Sequence, residues 1–177
     1  EFLKLDPDDA DRVTEARAGL EMLKTLGTEE VAVVTAPENP APIPFRKSLN
    51  LIFTRVMING RGPYDFAIDT GATQTVLSEK LAVELGLQPV TSTLMHGVGG
   101  GGKIESKLYT VKDMSIGEVR IKTIPAGTFN DPLVTQLVDG ILGTAILSDF
   151  IITVNYPDSR LELTRRRTPA PASAEVL

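Results

Sequence analysis

The chain has 177 residues, 42% hydrophobic and 23% charged, a balance that supports a packed core and excludes wholesale disorder. A net charge of −5 with no broad basic face gives no reason to expect a nucleic-acid partner, and no apolar run is long enough to span a membrane. The absence of cysteine excludes disulfides and a thiol nucleophile, and a single histidine, His96, excludes a multi-histidine metal site within one chain.

In chain order, Asp6-Pro7-Asp8-Asp9 reads as a helix start, with Asp6 at the N-cap and Pro7 at the first helical position. Val13, Ala16, Leu20 and Leu23 recur at helical spacing, and Gly27 is a fitting stop. Gly19 inside this pattern weakens the helix by about 1 kcal/mol. The plainer reading is a helix packed on the body of the protein or on a partner chain, and it is preferred. The sharper one is an inhibitory pro-segment.

Val31 to Thr35 is β-prone, and Pro37, Pro40, Pro42 and Pro44 then suggest a stiff extended connector. Residues 1–43 are therefore read as an N-terminal helix with a Pro-rich connector, and 44–166 as the main domain. Leu49 to Asn59 alternates as a strand, Asn59-Gly60-Arg61-Gly62 is a strong hairpin turn, and Tyr64 to Asp69 is the returning strand.

That strand runs into Asp69-Thr70-Gly71-Ala72: a carboxylate, a hydroxyl and a glycine in a tight turn. Asp69 sits at the end of a stiff element. Gly71 lets backbone or substrate come close and permits positive φ. Peptide hydrolysis needs a group that takes a proton from water and another that returns one. Two carboxylates sharing one proton do this, because like charges a few ångströms apart cannot both ionise.

Beyond the turn, Ser78 can cap a short helix that Gly86 stops, with Leu81 and Leu85 facing the core. Met95 to Lys103 is glycine-rich and formally matches two nucleotide-binding patterns. Both fail on context: Ile104 stands where a magnesium-binding Ser or Thr belongs, and Ile104 to Met114 reads as strand. Two strand-like runs flank Ile116-Gly117-Glu118, and Asn130-Asp131-Pro132 is a turn. Thr144 to Phe150 reads as a short helix, with Ile151 to Val154 and Leu161 to Leu163 as strands. Arg165 to Arg167 is a solvated edge. Residues 167–177 are Pro- and Ala-rich and read as a flexible tail. The start at Glu1-Phe2, without methionine, suggests a trimmed chain; a removed leader would place it in the periplasm or outside the cell.

Asp69-Thr70-Gly71-Ala72 after an apolar strand resembles the signature of retropepsin-like (retroviral-type) aspartic proteases. Val138-Asp139 followed by Gly140-Ile141-Leu142-Gly143 resembles the family's segment behind the catalytic loop. The resemblance covers about Pro44 to Arg166. It implies an all-β fold: a closed acid-protease barrel with short helices and the N-terminal helix attached. It implies an aspartic endopeptidase, in which Asp69 is catalytic and Thr70, Gly71 and Ala72 support the loop. Gly97, Val98, Gly99, Gly100 and Gly101 become a flap over the substrate, with His96 a bystander at its base. Asp139 supports structure, so neither it nor Asp131 is a first choice for a second acid. Only one Asp-Thr-Gly exists, so the expected assembly is a homodimer acting on a peptide or protein, with no metal and no cofactor. Gly143 is followed by Thr144-Ala145 where viral members carry Arg, so the dimer contacts that this Arg makes are in question. Bacterial relatives often carry a PDZ-like domain beyond the tail. The alternative from another class is a non-catalytic peptide-binding or dimerisation module on the same barrel.

Overall fold

The computed structural model describes residues 10–48, 50–96 and 103–166. Helix α1 (Ala10–Leu26) leads into strands β1 (Val33–Thr35), β2 (Ile43–Ser48), β3 (Leu51–Ile58), β4 (Arg61–Ile68) and β5 (Thr75–Ser78). Helix α2 (Glu79–Glu84) precedes β6 (Thr91–His96), β7 (Lys103–Ile116), β8 (Val119–Phe129) and β9 (Gly140–Leu142). Helix α3 (Thr144–Leu147) precedes β10 (Phe150–Asn155) and β11 (Arg160–Arg165). The class is all-β, as the motifs implied.

The strand pairings close a ring. β3 pairs with β4, β4 with β9, β9 with β5, β5 with β8, β8 with β7, and β7 returns to β3. β2, β11 and β10 extend the sheet from β3, β6 extends it from β7, and β1 adds to β8. The β3–β4 hairpin turns where the sequence says it should. Asn59 (φ 50°) and Gly60 (φ 75°) are both left-handed, as a two-residue turn between right-twisted strands requires. Inside the ring, Val56, Ile58, Phe66, Leu77, Ile121 and Leu142 are fully buried and form the main core. A second cluster of Phe53, Ala67, Val76, Phe129 and Val138 lies apart from it. Adjacent Phe66 and Ala67 point to opposite faces of β4, so that strand is buried on both sides just before Asp69. Burying Phe66 alone contributes about 1.5–3 kcal/mol.

Two local expectations change. The Pro-rich connector runs into a regular strand, β2, in which Ile43 and Phe45 are buried and Pro44 and Arg46 are exposed. The prolines masked that alternation; the approach to the strand is pinned by the Ala41 N–H donating to Glu118 Oε2 at 2.7 Å. In α1 the buried residues are Ala18, Met22 and Leu26, while Leu20 and Leu23 are 43% and 64% exposed. Apolar residues occur all round this helix, so periodicity could not choose its face; contact with β6 did. The expected start at Asp6 to Asp9 lies outside the described residues. Among the described residues no helix is long and apolar enough to cross a membrane.

Candidate active site

Asp69 follows directly on β4, and the next strand of the chain, β5, does not pair with β4. β9 is inserted between them, parallel to β4 and antiparallel to β5. Its register sets Phe66 against Gly140, Ala67 against Ile141 and Ile68 against Leu142, and the Asp69 N–H continues the ladder to the Leu142 carbonyl at 3.1 Å. The loop 69–74 thus spans a gap filled by a third strand and is held from beneath.

The supports are mostly backbone. The Gly71 N–H donates to Asp69 Oδ1 at 2.8 Å, fixing the carboxylate's orientation. A Cβ on Gly71 would lie 3.1 Å from that same oxygen. Close approach explains this glycine, and its φ is not in the left-handed region. The Ala72 carbonyl accepts from the Thr144 N–H at 2.8 Å and from Thr144 Oγ1 at 3.1 Å, and the Thr73 carbonyl accepts from the Ala145 N–H at 3.0 Å. The first turn of α3 therefore ties down the far side of the loop. Gly143, just before it, has no room for a side chain: a Cβ would overlap the Gln74 backbone and stand 2.8 Å from the Ala72 carbonyl oxygen. At Gly140 a Cβ would likewise overlap the Phe66 ring and stand 2.8 Å from the Val76 carbonyl oxygen.

Asp69 is partly buried at the floor of an open cleft of about 610 Å³. Gly71 to Gln74, Val76 and Ile141 form the floor beside it, and Thr93, Leu94 and Leu108 of the β6–β7 hairpin form one side. Thr70 is exposed beside Asp69, and its hydroxyl has no partner among the described residues. The segment Gly97, Val98, Gly99, Gly100 and Gly101 lies outside the described residues. The strands on either side of it pair antiparallel, with His96 opposite Lys103.

The other acids have structural partners. Asp139 Oδ2 accepts from the Asp65 N–H at 2.9 Å, and the Asp139 N–H donates to the Asp65 carbonyl. At about 3.3 Å per residue, that anchor is some 13 Å along β4 from Asp69. Asp131 Oδ1 accepts from the Leu133 and Val134 N–H groups and closes its own turn. Among the described residues no group of three potential ligands could hold a metal ion. Sequence reasoning missed the third side of the cleft, which comes from α1: Glu15, Ala18 and Gly19. A signal existed in Gly19, since a glycine in a helical pattern often marks a packing or functional constraint.

A fold built to hold one Asp-Thr-Gly loop at the floor of a cleft is that of the aspartic proteases. The aspartyl protease family model matches residues 54–146, just over half of the chain, and the chain belongs to that family. The structure is similar to the crystal structure of a retropepsin-like aspartic protease from Rickettsia conorii: TM-score 0.51, 20% identity, covering 76% of this chain and 95% of that one. No curated protein sequence matches at a significant level.

Proposed function

We propose that the protein is an aspartic endopeptidase whose active centre is completed by a second copy of the chain. The observation that carries this is the placement of Asp69. It is held on a backbone-braced loop at the floor of the cleft, while the other two candidate acids, Asp131 and Asp139, are bonded elsewhere. One carboxylate cannot serve as both base and acid, and in this reading its partner is Asp69 of the other chain.

In this reading the two carboxylates share one proton. The ionised one takes a proton from a water lying between them as the oxygen adds to the scissile carbonyl carbon; the other donates to the carbonyl oxygen. The tetrahedral intermediate collapses with cleavage of the C–N bond, and the amine leaves with a proton returned by the pair. Thr70 hydrogen-bonds across the two-fold axis and holds the two loops coplanar, a role open to its exposed hydroxyl. Gly71 meets the substrate backbone, and Ala72 supports the loop. Gly97 to Gly101 cover the peptide, and Gly140 to Gly143 support the loop from behind.

The test is incubation with a denatured protein mixture across acidic pH, with and without pepstatin. Cleavage is expected in the parent and lost by at least about 10³-fold in Asp69→Asn, whose amide cannot act as base, with the circular dichroism spectrum unchanged. Binding without cleavage in the parent would leave the peptide-binding module as the function; near-parental cleavage by the variant would remove Asp69 from the mechanism.

A further inference from the structure

We infer that helix α1 is a wall of the peptide cleft and that Glu15 makes the cleft select a cationic side chain, Lys or Arg, on the bound peptide. This deepens the protease reading and rests on it. The helix lies outside the segment matched by the family model, yet Glu15, Ala18 and Gly19 line the same cleft as Asp69. These three positions fall on one side of the helix, at spacings of three and four residues.

The helix is anchored at its C-terminal half. Ala18, Met22 and Leu26 are buried, Thr110 Oγ1 donates to the Met22 sulfur at 3.6 Å, and β1 then pairs with β8. The turn from Ala18 back to Glu15 is left facing the cleft. Nothing lies within 4 Å of where a Cβ on Gly19 would stand, so there is open space in front of the helix for a long side chain.

The charge pattern chooses that side chain. Among the described lining residues Asp69 and Glu15 are the acidic ones and none is basic. Glu15 is exposed and has no ion-pair partner among the described residues, whereas Glu21 on the same helix pairs with Lys24. A bare carboxylate on the wall attracts an ammonium or guanidinium group and repels an acidic one. A peptide filling the cleft displaces water, and a fall in effective dielectric constant from about 80 to about 20 strengthens the interaction roughly fourfold.

The experiment compares peptides that differ only by Lys, Gln or Glu at each position near the scissile bond. They are assayed with the parent, Glu15→Gln and Glu15→Lys. At one position the parent should prefer Lys over Glu by about tenfold in kcat/KM, the sum of an attraction and a repulsion at a largely exposed site. Glu15→Gln should flatten that preference, and Glu15→Lys should reverse it. Raising salt should shrink it. Gly19→Phe, which puts a ring into the open space, should raise KM for the Lys peptides. Binding of the same labelled peptides to Asp69→Asn, read by fluorescence anisotropy, needs no cleavage. Lys-over-Glu binding there without cleavage by the parent would defeat the protease reading and leave the selective wall standing. Equal binding of Lys and Glu peptides overturns the inference even if the protein is a protease. So does a Glu15→Gln variant that loses activity on all peptides alike, or a Glu15→Lys variant that gains on all alike.

Discussion

At the scale of single residues, the Asp69 loop is shaped by missing atoms as much as by present ones. Gly71 leaves space for the Asp69 carboxylate, Gly140 for the Phe66 ring and Gly143 for the Gln74 backbone. At Gly140 and Gly143 the added atom would also meet backbone, at Val76 and Gln74 respectively. The backbone beside Gly143 is fixed by the Thr144 and Ala145 hydrogen bonds to the loop. Gly143→Ala is therefore expected to destabilise by about 1–3 kcal/mol, the usual range for an overpacked site. For a chain of this size that corresponds to a fall in Tm of roughly 2–12 °C. It should also displace the loop, so kcat should fall more than peptide affinity. Calorimetry and steady-state kinetics on the variant check both, and an unchanged Tm would mean that the loop yields freely.

At the scale of elements, the chain order β4, loop, β5 means little until β9 enters between the two strands. Helix α2 then braces the start of β4. Tyr64 Oη donates to Glu84 Oε1 at 3.0 Å, and Arg61 Nη1 donates to the Glu84 carbonyl at the C-terminal end of the helix. Partial burial, followed by the hydrogen bond to Glu84 and that carboxylate's charge, raises the Tyr64 pKa above its ordinary value near 10. The folded state holds this phenolic proton more tightly than the unfolded chain. Its contribution to stability is thus fully present below the unfolded pKa and is lost as pH rises through the folded one. An NMR titration should place Tyr64 above Tyr64 in the unfolded chain, and Glu84→Gln should bring it back down. A midpoint that ignores Glu84→Gln would mean that the helix does not brace the strand through this pair.

At the scale of the whole molecule, the proposed mechanism makes a single chain half of a symmetric device. On the two-fold axis of an isologous dimer residue i of one copy meets residue i of the other, which suits a loop carrying one aspartate. Leu20 and Leu23 on the outer face of α1 and Ile151 on β10 are exposed apolar residues available to such an interface. If the dimer is the active form, specific activity must fall on dilution below its dissociation constant. Excess Asp69→Asn chains should poison the parent through mixed dimers. Enzyme titration and sedimentation velocity measure both. A monomer with constant specific activity at all dilutions would overturn the dimer and place the second acid within the chain.

The loop motif, the Asn59-Gly60 turn, the Ser78 cap and the segment Gly140 to Gly143 could all be read from the chain, because each is a local pattern with a local physical cause. Ser78 Oγ does accept from the Leu81 N–H, and Asn59 and Gly60 do take left-handed φ. Strand β2 was hidden because prolines interrupt the pattern before Ile43 and Phe45. The face of α1 was hidden because its apolar residues point every way, and only the sheet against which it docks makes Ala18 and Met22 the buried ones. The cleft was hidden for the same reason. Glu15, Asp69, Leu94 and Ile141 are remote in sequence, and only closure of the ring and docking of the helix bring them to one surface. The sequence by itself determined which groups the loop carries, a carboxylate, a hydroxyl and a glycine, because they are adjacent residues. The tertiary structure alone decided which helix face, and with it which acid, lines the cleft along with Asp69, because that depends on packing between elements far apart in the chain.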